Sequence, residues 1–294
     1  MAKRWDCILA DPSSPRPENS IRVFCFSDTH GAHKKIPKDW ICPADIALFA
    51  GDFTGVGALR DTLSFIEFFK SLPCKHKVMI AGNHEVTYDT ENREDILFRY
   101  LQFERGDYSK LVKKYKKLNK DYIPTNSGKK YDDNILNFIK QQIIDDEEII
   151  YLEESTVNIE GLNIYGSPYS PFFYNWAFPT YPNEEKEKGG LAASRWNKIP
   201  DDADIVLVHG PPLNILDLVE DDGSNAGDPF LAEKINQINP SLCVFGHIHE
   251  AYGAQKIKDT YYANVSTLNF NYEVKNKPLL FDLVKIEKRD CDMD

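Results

Sequence analysis

The chain has 294 residues, with 42% hydrophobic and 28% charged residues and a formal net charge of -11 at pH 7. That length and balance fit one large or two small folded domains and exclude a disordered chain. The acidic excess argues against nucleic acid as a bulk partner, since tracking phosphates needs a basic surface.

The start, "MAKRWDCILADPSSPRPENS", has no apolar h-region, and no apolar stretch approaches the roughly 18 residues of a spanning helix. A cytoplasmic protein with no membrane partner is therefore expected, with residues 1–19 and 287–294 as weakly ordered tails. Six cysteines (Cys7, Cys25, Cys42, Cys74, Cys243, Cys291) lie without a C-x-x-C pair, which reads as idle or buried thiols.

"IRVFCFS" is a continuous apolar run of strand formers, and "DIALFAG", "KVMIAG", "DIVLVHG" and "LCVFGH" repeat its design, each ending at a polar or glycine stop. Strands buried on both faces have this pattern. Helical patterns lie between them: "ALRDTLSFIEFFKSL" puts Leu59, Leu63, Ile66 and Phe69 on one face, and "DPFLAEKINQI" opens on Asp228 and Pro229 as cap and first turn. Alternating strand and helix implies crossovers and a largely parallel sheet.

Residues from about 87 to 146 break the alternation with charged helical patterns and "IPTNSGKKYDD", which reads as a mostly helical insertion, with a separate small domain as the alternative. Within it "KLVKKYKKLNK" is either a solvated helix face or a docking surface for an anionic partner. After Ile149 come short strands, "IIYLEE", "STVNIE", "LNIYGS", "TYYANVS" and "LLFDLVKI", which imply a second, more antiparallel sheet.

The apolar runs end at Asp28 and His30 ("SDTHG"), Asp52 ("GDFTG"), Asn83 and His84 ("GNHE"), His209 ("HGPP"), and His247 and His249 ("GHIHE"). Every histidine except His33 and His76 falls at one of these ends. Singly, each piece also reads as a cap, a turn or a satisfied side chain. Together they differ, because the carboxyl ends of strands in an α/β sheet converge on one rim. Carboxylates, imidazoles and an amide gathered there form a metal site by composition. In D-x-H and H-x-H, side chains two apart on extended backbone face the same way. Six or seven ligands exceed what one zinc takes, and two ions sharing a carboxylate use them all, an arrangement suited to displacement at phosphorus.

"DTH", "GDFTG", "GNHE", "HGPP" and "GHIH", in this order, resemble the calcineurin-like metallophosphoesterase superfamily. The resemblance implies a four-layer α/β/β/α sandwich of two mixed sheets with a dinuclear centre above it. Carried onto this chain, Asp28, His30 and His249 hold one metal, Asn83, His209 and His247 hold the other, and Asp52 bridges them. His84 lies outside the ligand set and faces substrate with Asn83.

Protein Ser/Thr phosphatases look similar but carry G-D-x-x-D-R-G, where this chain has Gly55 and Val56 in place of Asp-Arg. "GSPYSPFFYNWAF", "RWNKIP", "VHGPP" and "FGHIHEAYG" are similar instead to the metallophosphoesterase-domain-containing branch, whose members are phosphodiesterases active on cyclic nucleotides. Some of its members carry glycine where this chain has His247.

The expectation is hydrolysis of a small phosphodiester by a metal-bridging hydroxide, with Mn²⁺, Fe²⁺/Fe³⁺ or Zn²⁺ as cofactors and His84 as proton donor. The alternatives are a phosphomonoesterase or protein phosphatase, and a non-catalytic scaffold on the same fold. The aromatic segment Tyr169, Phe172, Phe173, Tyr174, Trp176 and Phe178 reads either as packing or as a wall that stacks on a base.

Overall fold

The computed structural model describes residues 4–92, 112–117, 132–182 and 191–286. Its strands form two six-stranded sheets. One has the order β1-β14-β2-β3-β4-β5, with β1 Trp5–Ala10, β2 Ser20–Phe26, β3 Ala44–Ala50, β4 Cys74–Ile80, β5 Ile150–Tyr151 and β14 Leu279–Lys285. The other has the order β12-β13-β11-β10-β7-β6, with β6 Ser155–Ile159, β7 Leu162–Ser167, β10 Ile205–Val208, β11 Leu242–Phe245, β12 Gly253–Ile257 and β13 Thr260–Asn264. A small parallel pair, β8 Ser170–Pro171 and β9 Pro179–Thr180, closes a loop beside them.

The uninterrupted apolar runs are explained by burial on both faces. In β2, β3 and β4, Val23, Cys25, Ile46, Leu48, Val78 and Ile80 point into one core shared with Ile205, Leu207, Leu242 and Val244 of the second sheet. Their alternate neighbours Phe24, Phe26, Phe49 and Met79 point outward, toward α1 Leu59–Lys70 and α2 Asp133–Ile144, as Val206 and Phe245 do toward α3 Leu191–Trp196 and α4 Pro229–Ile238. Period-two alternation between two apolar faces thus produces four layers, helices, sheet, sheet, helices. Asp228 caps α4 by accepting from the backbone N–H groups of Phe230 and Leu231, and Asn239 ends that helix in the left-handed conformation.

Three expectations change. The segment 1–19 is not all tail, because β1 pairs antiparallel with β14 along Trp5 to Ala10 and buries Trp5 and Cys7; its partner lies too far along the chain for local pattern to show. The late strands do not form a separate antiparallel sheet. β5 and β14 join the first sheet, while β7, β10, β11 and β13 run parallel in the second, with antiparallel edges at β6 and β12. Finally, α2 belongs to the helical layer: β4 and β5 are parallel neighbours, which requires a crossover, and α2 lays Ile135, Leu136, Ile139 and Ile143 into the core that holds Phe65 and Phe69. Most of the remaining expected insertion, and the expected tail at 287–294, fall outside the described residues. Within the basic stretch, residues 112–117 are helical, with Val112 and Tyr115 packed on the core and the lysines between them exposed.

Candidate metal centre

Every residue expected at the metal site follows the carboxyl end of a parallel strand: Asp28 and His30 after β2, Asp52 after β3, Asn83 and His84 after β4, His209 after β10, His247 and His249 after β11. The two sheets meet there, since the Ser27 N–H donates to Val265 O at 3.0 Å and the Thr267 N–H donates to Ser27 O at 2.9 Å. One rim therefore collects donors from both sheets.

The D-x-H and H-x-H pairs are not on extended backbone. Asp28, His30, Asp52 and His247 have φ of 50°, 40°, 59° and 71°, and His249 opens a short 3-10 helix. Left-handed backbone at non-glycine residues costs energy and persists where the surroundings impose it. Here the Thr29 and His30 N–H groups donate to Asp52 O at 2.9 and 3.0 Å, locking one ligand loop to the other. Gly246 is required by a close approach: a Cβ there would lie 2.0 Å from Asp28 Oδ2 and 2.3 Å from Ser27 Oγ.

The donors fall into two groups around Asp52. In the first, His30 Nε2 is 3.2 Å from His249 Nε2, and His249 Nε2 is 3.6 Å from Asp28 Oδ1. In the second, His209 Nε2 and His247 Nδ1 each stand 2.8 Å from Asn83 Oδ1. Asp52 Oδ2 lies between the groups, 3.6 Å from His30 Nε2 and 3.4 Å from His209 Nε2. Two ligands bound at about 2.1 Å to one ion stand roughly 3.0 to 3.4 Å apart, so these separations are close to the edges of coordination polyhedra.

The tautomers fit as well. His209 Nδ1–H donates to Ala50 O at 2.8 Å and His249 Nδ1–H to Asn269 O at 3.2 Å, which turns each Nε2 inward. His30 Nδ1 is buried with no hydrogen-bond partner among the described residues. The site is one for divalent metal ions.

Electrostatics couple the two groups. Burial disfavours the Asp28 carboxylate, yet the imidazoles of His249 and His209 outweigh it and hold the group down to about 2. Burial also opposes protonation of His209, but Asp52 and Asp28 push it up to about 9, so a proton occupies the place a cation would take. His30 and His247 are held down to about 3, chiefly by burial, and stand neutral as ligands must.

Sequence reasoning missed the residues that aim these ligands. Ser27 Oγ and Ser266 Oγ donate to Asp28 Oδ2, the latter at 3.0 Å, leaving Oδ1 toward His249. Glu85, fully buried, accepts from the N–H groups of Asp52, Thr54 and Gly82 and from the Thr54 hydroxyl, so the last letter of "GNHE" ties the Asp52 loop to the Asn83 loop. Burial and Asp52 push its carboxyl up to about 8, against those four donors.

His84 closes the site beside Asp52, whose Oδ1 accepts its backbone N–H at 2.8 Å. The carboxylate absent from position 55 is replaced by backbone: His84 Nδ1–H donates to Gly55 O at 2.8 Å.

Above these residues opens a cavity of about 370 Å³, lined on one side by Phe172, Phe173 and Tyr174 and on another by Phe270 and Tyr272. The aromatic segment thus divides between packing and cavity wall. Tyr169 and Phe178 are buried, with the Arg195 guanidinium over the Tyr169 ring at 3.3 Å, while Phe172, Phe173 and Tyr174 are exposed on the wall. Tyr272 was missed because nothing in "LNFNYEV" marks it; its ring centroid is 5.1 Å from those of both His30 and His249.

Residues 21–251, spanning every residue expected at the metal site, match the model of the calcineurin-like phosphoesterase family. The chain belongs to the calcineurin-like phosphoesterase family. It is 34% identical over 281 residues to metallophosphoesterase domain-containing protein 1 of Homo sapiens, covering 94% of this chain and 76% of the relative, and the Mus musculus protein matches equally. A solved structure, the phosphopantetheinyl hydrolase of Mycobacterium tuberculosis, superposes with a TM-score of 0.50 at 13% identity over 95% of this chain and all of that one, a likeness of fold. Membership makes phosphoric-ester hydrolysis the class of reaction for this calcineurin-like chain. Among its described residues no helix is long and apolar enough to cross a membrane.

Proposed function

We propose that the protein is a dinuclear phosphodiesterase acting on small diesters. The observation that carries this is Asp52 Oδ2 standing between the two donor groups, at the floor of a cavity whose lining contains Asp221, Asp222 and Glu250 and, among the described residues, neither Lys nor Arg. A dianionic monoester ordinarily needs a further cationic partner such as Lys or Arg, and among the described residues neither lines the cavity; a monoanionic diester needs less.

Asp28, His30 and His249 would hold one ion, Asn83, His209 and His247 the other, with Asp52 shared; this imidazole and carboxylate set accommodates Mn²⁺, Fe or Zn²⁺. Ions in those places supply positive charge for the phosphoryl oxygens and lower the pKa of the attacking water. Asn83 turns Oδ1 toward His209 and His247, which leaves its Nδ2 to donate to a non-bridging phosphoryl oxygen. His84, anchored through Nδ1, has Nε2 to place a proton on the leaving alkoxide. The exposed rings of Phe172, Phe173 and Tyr174 provide π-faces for the rest of the substrate, for which a nucleobase is the fitting group and a cyclic nucleotide the fitting diester.

The test is kcat/KM on bis-p-nitrophenyl phosphate, p-nitrophenyl phosphate and cyclic nucleotides under one metal. A clear preference for diesters is expected. A large excess for the monoester, or no turnover of any ester by the metal-loaded protein, rejects the proposal.

A further inference from the structure

Among the described residues the His84 ring has one polar anchor, the Gly55 carbonyl, and one hydrogen bond leaves a ring free to tilt about it. A second restraint comes from the aromatic segment. The Trp176 indole lies against the His84 imidazole with ring centroids 3.9 Å apart and planes 19° apart, a stacked pair. The His30 ring meets His84 from another side, edge to face at 4.3 Å.

The loop that carries Trp176 is itself fixed to the loop that carries His84. The Ala177 N–H donates to Asn83 O at 3.1 Å, and the Phe178 N–H donates to the buried carboxylate of Asp89 at 2.7 Å. Tyr174 and Asn175, just before the indole, take left-handed backbone with φ of 43° and 57°, which turns the chain over the cavity. Indole and imidazole are therefore held from two connected loops.

We infer that Trp176 is a positioning residue for His84: its stacked ring, acting with the Gly55 carbonyl, sets the plane in which Nε2 meets the leaving oxygen. This rests on the phosphodiesterase proposal above for its kinetic consequence, though the stack itself does not. Proton transfer depends steeply on geometry, and displacing a group by about 1 Å can cost on the order of 10²-fold. A planar hydrophobic ring needs no charge to do this work, which is how a chain with glycine at position 55 keeps an oriented imidazole.

The experiment compares Trp176→Ala and Trp176→Phe with the unsubstituted protein. Kinetics are read on a cyclic nucleotide, whose alkoxide must be protonated, and on bis-p-nitrophenyl phosphate, whose phenolate leaves without a proton. Metal content is measured alongside. In the metal-free proteins, NMR reads the His84 ring protons, which the indole face shifts upfield.

Trp176→Ala is expected to keep its metal and KM within about twofold, lose about 10- to 100-fold in kcat on the cyclic nucleotide and far less on the nitrophenyl diester, and lose the upfield shift. Trp176→Phe, which keeps a planar ring, should recover most of both. Equal losses on the two substrates, a loss carried by KM, or an unchanged His84 resonance in Trp176→Ala would overturn the inference, as would a Phe variant no better than Ala. If the unsubstituted protein hydrolyses no diester, the function proposal fails by itself, and the ring-proton shift still decides whether Trp176 holds His84.

Discussion

Asp28, His30 and His249 bring a carboxylate of their own, while Asn83, His209 and His247 bring none. The first group is anionic without help, and Ser27, Ser266 and the His247 N–H all point hydrogens at its Asp28. The second is an amide and two imidazoles with no carboxylate of its own, and its His209 Nε2 stands 3.4 Å from Asp52 Oδ2. On the proposed ligand assignment Asp52 would be one of two carboxylate ligands of the first ion and the sole carboxylate ligand of the second, so the sites would differ in what they lose when it is changed.

The largest expected effect follows directly. Asp52→Asn should empty the second site and weaken the first, lowering kcat/KM by about 10³-fold or more, the scale of several kcal/mol of lost charge stabilisation. Asp28→Asn should weaken the first site alone, and equal emptying of both sites by Asp28→Asn would break the distinction. A smaller effect is expected from Ser266→Ala, which removes a donor to Asp28 Oδ2. Altered outer partners typically cost about 10- to 100-fold in metal affinity, here at the first site only, read by titration with Mn²⁺.

A pH dependence sharpens the same contrast. His209 is raised from 6.5 to about 9, so in the metal-free protein its proton adds stability that is fully present below about pH 6.5 and lost as pH rises through about 9. Binding at the second site must displace that proton, so its affinity should rise with pH across this window and protons should be released, as calorimetry in buffers of different ionisation enthalpy would show. Affinity independent of pH between 6.5 and 9 would mean that no proton on His209 is displaced in this window and would contradict its raised pKa. The smallest effect is global: chelation should lower Tm by about 5 to 10 °C, because an ion at one hundred times its Kd adds about 2.7 kcal/mol to the folded state.

Much of this was legible in the sequence because apolar runs of four to six residues ending at Asp, Asn or His state both a buried strand and the rim it reaches. Val23, Ile46, Val78, Ile205 and Leu242 needed no partner to be recognised as core. What was not legible depends on partners far along the chain. β1 reads as tail until β14 pairs with it, and β5 and β14 go to the first sheet although they look like the strands of the second. The left-handed backbone at Asp28, His30, Asp52 and His247 leaves no compositional mark, since glycine is absent from those positions. The orientation of His84 was hidden for another reason: its anchor is a carbonyl, which every residue has, and its stacking partner is one of several aromatic rings in a row.

Whether two ions share Asp52 is tested most directly by Mn²⁺ loading followed by electron paramagnetic resonance. With two equivalents of Mn²⁺, the unsubstituted protein should show the exchange-coupled signal of a close pair, and Asp52→Asn should show isolated ions at one per chain or fewer. Isolated ions in the unsubstituted protein, or a coupled pair that survives Asp52→Asn, would contradict the shared carboxylate.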